Sequence, residues 1–278
     1  MSDYDPDTAP DGLLLSNTVK TGYVRGVYGS DKFSVREIEY SVVDGLAVFE
    51  GCIVLGTADE MAALSEQVTR DGGVDLVNAT EGFGLTVLSR YLWPEGTVPY
   101  QIDENLPDAN RVIDAIAHWE TKTKIRFVPY VDQADFVTFR PGSGCSANVG
   151  CVGGEQFVNL GPGCTLGNTI HEIGHALGLW HEQSRSDRDE HVEVQYDNIH
   201  NSALHNFNRH IYDGVDRGPY DYGSIMHYPP NAFAKDPLKP TLVAPDGVEI
   251  GQRLSLSSGD VAAIEQAYAE EFEKRDNV

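Results

Sequence analysis

The sequence predicts an α+β fold, and three observations carry that expectation. Helical periodicity is confined to a few separated stretches. Strand-like runs are grouped between residues 36 and 49 and again between residues 125 and 160. The chain after His181 is rich in loop-forming residues until a last helix closes it.

The elements follow in order. Residues 1–12, rich in Asp and Pro, have the composition of a disordered lead. Arg36 to Val43 alternates as a strand does, and Asp44-Gly45 provides a hairpin turn into Leu46-Ala47-Val48-Phe49. Thr57-Ala58-Asp59-Glu60 is a capping box that opens a helix running to about Val68. Arg70-Asp71-Gly72-Gly73 and Glu81-Gly82-Phe83-Gly84 read as loops. Asp108 to Thr121 reads as an amphipathic helix with Val112, Ile113, Ile116 and Trp119 on its buried face. Ile125 to Val128, Asp135 to Phe139 and Gln156 to Leu160 are predicted strands; the last is expected at the edge of a sheet, where an extended peptide can add as one more strand. Asn168-Thr169 can cap the helix that follows. Ser257 to about Phe272 forms the closing helix, opened by Ser257-Ser258-Gly259-Asp260.

Composition narrows the functional classes. A hydrophobic content of 41% in 278 residues supports a core, in one large domain or a domain with an appendage. No run approaches the ~18–20 apolar residues of a membrane span. The start, Met1-Ser2-Asp3-Tyr4-Asp5-Pro6, has neither the basic nor the apolar region of a secretory signal. A net charge of −23 argues against nucleic acid and anionic membranes as partners. A monomer is expected.

The chemistry is concentrated in one run, His171-Glu172-Ile173-Gly174-His175-Ala176-Leu177-Gly178-Leu179-Trp180-His181. On a helix His171 and His175 lie one turn apart on one face, so both imidazoles can grip one metal ion. Glu172 lies beside them, where a carboxylate can act as general base toward water. Gly178 lets the backbone leave the helix at positive φ, which brings His181 back as a third ligand. Three nitrogen ligands with one open position suit a single catalytic zinc ion. Ser224-Ile225-Met226-His227-Tyr228, about forty residues on, has the form of the turn that underlies zinc in peptidases with H-E-x-x-H-x-x-G-x-x-H. His227 is assigned no metal role, because side-chain alternation points it away. His118, His191, His200, His205 and His210 lack ligand spacing and are expected on the surface or in packing.

Together, His171 to Glu182 and Ser224 to Tyr228 resemble the astacin family of metzincin zinc endopeptidases. Tyr91-Leu92-Trp93, Val98-Pro99-Tyr100, the stretch from Gly144-Cys145 to Gly163-Cys164, and Tyr220-Asp221-Tyr222 extend the resemblance from about Gly84 to Tyr268. It implies a two-lobed catalytic domain with the zinc helix at the floor of a cleft, a small sheet in the upper lobe and an irregular lower lobe. It implies that Tyr228 binds zinc in the resting enzyme and then hydrogen-bonds the oxyanion. It implies a structural Met226, and a Glu182 that receives the new N-terminus after activation. A pro-segment over residues 1–83 and a catalytic domain over 84–278 follow from the same resemblance, as does a secreted location. Extended peptides are the expected substrates. Two other readings stay open: an inactive zinc scaffold that holds a protein partner, and a zinc amidase or esterase acting on small molecules.

The resemblance also implies a Cys145–Cys164 disulfide. Cys151 is read either as a buried free thiol or as a partner of Cys145. Cys52, in Phe49-Glu50-Gly51-Cys52-Ile53, stands where pro-segments of the family carry an aspartate that reaches the zinc. A thiolate is a strong zinc ligand, so a cysteine switch is expected in the zymogen. The alternatives are a structural thiol and a Cys52–Cys151 disulfide.

Overall fold

In the computed structural model, residues 12–25, 35–70, 91–209 and 216–277 are described. The boundary expected near Gly84, His210 and nearly all of the lead at 1–12 lie outside them.

The N-terminal segment forms β1 (Val19–Arg25), β2 (Val35–Val43), β3 (Leu46–Phe49), β4 (Ile53–Thr57) and α1 (Ala58–Arg70). The hairpin turn falls at Asp44-Gly45, where both residues take positive φ. The predicted capping box opens α1: Thr57 N donates to Glu60 Oε2 at 2.8 Å, and Glu60 N to Thr57 Oγ1 at 3.1 Å. Tyr40, Ala47, Phe49, Ile53 and Met61 are buried together where α1 covers the hairpin.

The rest of the chain supplies β5 (Thr97–Ile102), α2 (Asn110–Lys122), β6 (Arg126–Pro129), β7 (Phe136–Pro141), β8 (Cys145–Ala147), β9 (Glu155–Leu160) and α3 (Leu166–Ala176). After these come a small pair, β10 (Glu193–Val194) with β11 (Leu242–Val243), and then α4 (Ser258–Ala267) and α5 (Ala269–Asp276). Among the described residues the large sheet has nine strands, in the order β1-β2-β3-β4-β8-β9-β7-β5-β6. It is mixed: β5 pairs in parallel with β6 and β7, and β7 with β9, while β8 runs antiparallel to β9. The α+β class with a mixed sheet therefore holds. The sheet exceeds the small one expected because β1 to β4 extend it through a parallel β4–β8 pairing, Ile53 opposite Ala147.

Four expectations are corrected. Gln156 to Leu160 is not an edge strand: β9 is paired on both sides. The short β8 borders the cleft instead, and three residues beginning at a cysteine carry no readable alternation. Ile113 is 49% exposed, so the buried face of α2 is Val112, Ala115, Ile116 and Trp119. The cap of α3 is Thr165, whose hydroxyl accepts from Asn168 N while Asn168 Oδ1 accepts from Thr165 N, a few positions earlier than Asn168-Thr169. The closing helix divides at Tyr268 (φ −95°, ψ 5°) into α4 and α5, because Tyr268 turns inward to donate to Leu177 O at 2.9 Å.

That bond is one of three that fix the position of α3. Trp119 Nε1 donates to Ile170 O at 3.0 Å, and Trp93 Nε1 to Ala176 O at 2.7 Å. All three aromatic side chains are fully buried, so α3 is pinned by packing and by polar contacts that water cannot contest.

Candidate metal centre and active site

His171 and His175 leave α3 on one face, and Gly178, at φ +99°, turns the chain so that His181 returns to meet them. Each imidazole is held through Nδ1. His171 donates to Ile225 O at 2.8 Å, His175 to Leu179 O at 2.7 Å, and His181 to the Glu50 carboxylate at 2.7 Å. These bonds fix the tautomer and aim each Nε2 lone pair at a common point.

Cys52 completes the set. Its Sγ lies 3.6, 3.3 and 3.1 Å from Nε2 of His171, His175 and His181, and the last two Nε2 atoms are 3.2 Å apart. All four side chains are buried, with their donor atoms within 4.8 Å of one another. Tetrahedral zinc with bonds of ~2.3 Å to sulfur and ~2.0 Å to nitrogen needs donor separations of roughly 3.3–3.6 Å. The donor set fits one zinc ion. A Cys52–Cys151 disulfide is not present: both thiols are free and buried, and Cys145 is bonded to Cys164.

Glu172 is buried beside the cluster, and its Oε2 has no hydrogen-bond partner. Burial pushes its carboxyl well above the usual range, with Arg253 pulling the other way. Tyr228 is fully buried and its hydroxyl donates to Glu50 O at 2.6 Å. Met226 packs directly beneath α3, where a Cβ on Gly174 would lie 2.7 Å from its Sδ. A side chain at 174 would require the Met226 thioether to shift.

Glu182 stands apart from the metal donors. One of its carboxylate oxygens accepts from Asp221 N at 2.8 Å and lies 3.6 Å from Arg185. Burial nevertheless lifts its carboxyl to about 8. A pocket beside it is bordered by Trp180, Arg185, Arg217 and Asp221. His227 points away from the cluster, donating through Nδ1 to Tyr228 O at 2.7 Å and accepting from Tyr220 at 2.8 Å; burial lowers it to about 4. His118 accepts from Leu256 N, His191 stacks on Tyr220, and His205 is buried.

Several supporting residues carry no signal in the sequence. The Asp260 carboxylate accepts from Ser224 Oγ and Ile225 N and so ties the cap of α4 to the turn under the metal donors. Arg253 donates to Ile225 O and His227 O. Glu50 accepts from both His181 and Ser184 Oγ, the latter at 2.7 Å. Glu50 and Gly51 both take positive φ (47° and 69°), a turn that presents the Glu50 carboxylate and the Cys52 thiol to the same centre. Each partner lies far along the chain, so no local pattern reveals it.

The sequence profile of the Astacin peptidase family matches residues 86–269. The chain is 40% identical over 191 residues to nematocyst expressed protein 6 of Nematostella vectensis, a match covering 64% of this chain and 66% of that protein. It is 39% identical to zinc metalloproteinase nas-13 of Caenorhabditis elegans, over 63% of this chain and 40% of that one. It is 35% identical to meprin A subunit beta of Homo sapiens, over 74% of this chain and 33% of that subunit. The matched region thus spans well under half of the last two. Among solved structures, high choriolytic enzyme 1 of Oryzias latipes, a hatching enzyme zinc-protease, superposes with a TM-score of 0.62 at 32% identity, covering 69% of this chain and 99% of that one.

Proposed function

The chain belongs to the astacin family of peptidases, and from that premise we propose that it is a zinc-dependent endopeptidase, held latent by its N-terminal segment and acting in an oxidising, extracellular setting. The observation that carries the reading is the buried donor set of Cys52, His171, His175 and His181, with each imidazole tethered through Nδ1. The Cys145–Cys164 disulfide supports the oxidising compartment.

Zinc bound at these donors would supply Lewis acidity, polarising a scissile carbonyl and acidifying water at the site. Every other part is the chain's own. Glu172, raised by burial and with no hydrogen-bond partner at Oε2, accepts a proton from the attacking water and returns it to the leaving amine. The Tyr228 hydroxyl, released from Glu50 O when the N-terminal segment leaves, donates to the developing oxyanion. The edge of β8 receives the substrate backbone where β4 now pairs: Ala147 N donates to Cys52 O at 2.9 Å, and Asn148 Nδ2 to Val54 O at 2.9 Å.

Latency follows from the same geometry. Cys52 fills the position that water needs, Glu50 occupies Tyr228, and β4 occupies the substrate edge. A cut in the stretch between Arg70 and Tyr91, near Gly84, separates residues 1–83 from a catalytic domain of residues 84–278. The pocket beside Glu182 then stands ready for the new amino terminus, whose positive charge suits a buried carboxyl.

The test is digestion of casein by the zinc-loaded, proteolytically activated chain, with and without a chelator. Cleavage abolished by the chelator and restored by zinc is expected. Cleavage that the chelator leaves intact would overturn the reading.

A further inference from the structure

Leu13 is 2% exposed, yet it is not buried among the strands of its own segment. It sits in the apolar cluster of the opposite side of the cleft, with Phe207, Tyr228, Ala232 and Phe233. The rings of Phe207, Tyr228 and Phe233 meet edge to face, with centroids 5.8 to 6.2 Å apart, and form an aromatic wall. The chain reaches this wall beside the metal donors. Leu14 N donates to Gly51 O at 2.6 Å, and a Cβ on Gly51 would lie 2.4 Å from Phe233 Cζ and 3.3 Å from Leu13 Cδ2. Leu13 therefore stands against the residue next to Cys52, and it shares a wall with Tyr228, whose hydroxyl serves the reacting carbonyl in the mechanism above.

We propose that the pocket formed by Phe207, Tyr228, Ala232 and Phe233 selects a branched aliphatic side chain of the substrate close to the scissile bond, and that Leu13 occupies it in the latent chain as an internal mimic. The inference rests on the peptidase reading and deepens it. Departure of the N-terminal segment removes Leu13 and uncovers an aromatic-lined pocket of leucine size. Such a pocket gains from each buried methylene and loses from burying an unpaired charge. The preference for leucine over alanine should be about 10- to 50-fold.

The test uses the full chain, loaded with zinc and activated by limited proteolysis, on a mixed peptide library whose cut sites are sequenced. Leucine or isoleucine should be enriched at least about tenfold over alanine and aspartate at one fixed position beside the cut. Ala232→Phe, which fills the pocket, should shift that position toward alanine and glycine. Cleavage with no aliphatic enrichment at any position, or an enrichment unchanged by Ala232→Phe, overturns the subsite and leaves the peptidase reading standing. Absence of any cleavage overturns that reading and the subsite with it. A measurement without turnover completes the test: in the latent chain, Leu13→Asp should speed amide exchange at residues 203–207 and 232–234, and Leu13→Met should restore protection. Unchanged exchange in Leu13→Asp would show that Leu13 does not fill the pocket.

Discussion

Glu50 and His181 lie 131 positions apart and share a hydrogen bond of 2.7 Å, with both side chains fully buried. The bond couples the N-terminal segment to the orientation of a metal donor. Glu50→Ala leaves His181 Nδ1 and Ser184 Oγ without their buried acceptor, so the zinc-loaded full chain should lose about 1–3 kcal/mol of stability. Urea unfolding reads the loss directly, and an unchanged midpoint would show that the bond contributes nothing.

Glu172→Ala removes the proposed base and leaves every metal donor in place. Zinc content should remain near one ion per chain, while peptidase activity of the activated protein falls by ~10²–10⁴-fold. Activity near that of the parent protein would remove Glu172 from the mechanism.

Tyr228→Phe deletes one hydroxyl and keeps the ring packed against Phe207 and Phe233. If that hydroxyl serves the transition state, kcat falls by ~10²–10³-fold with little change in KM. A change confined to KM would point to substrate binding alone.

Cys52→Ala opens the fourth position of the donor set in the uncut chain. The variant should cleave peptides or process itself faster than the parent. In the parent protein a thiol reagent should reach Cys52 only after zinc is stripped. Equal latency in the two proteins, together with free labelling in the presence of zinc, would sink the switch.

His205 is buried, its Nε2 has no hydrogen-bond partner, and burial lowers its pKa below the usual value, with Glu39 and Glu50 acting in the opposite direction. Below the ordinary histidine pKa of ~6.5, the unfolded chain binds a proton that the folded chain resists. Stability should therefore fall as pH drops through that range and be fully present above it. Comparing urea midpoints at about pH 7.5 and pH 5.5, His205→Gln should show a smaller drop than the parent. An identical drop would place the acid sensitivity elsewhere.

Much of the site was legible because it is local. The spacing from His171 to His181 encodes its own geometry: one helical turn, then a left-handed glycine. Cys52 was legible through the residues that frame it, and its thiol stands among the three imidazoles. The hairpin at Asp44-Gly45 and the box at Thr57 were equally local. What was hidden depends on partners distant in sequence. No pattern marks Ile53 as the neighbour of Ala147, or Asp260 as the anchor of Ile225. Strand β5 escaped notice because Val98-Pro99-Tyr100 places a proline inside a short run, which reads as a break.

The pairing of β4 with β8 has a consequence for solubility. In the uncut chain, β1 to β4 cover the cleft-side margin of the sheet, so β8 is shielded from pairing with another molecule. Once residues 12–70 depart, that margin becomes an unguarded ladder of amides and carbonyls, the feature that invites chains to stick together. A substrate peptide shields it only for the duration of one encounter. The segment proposed to restrain the active site would thus also protect the molecule against self-association, and the freed domain should tolerate crowding and storage less well than the uncut chain.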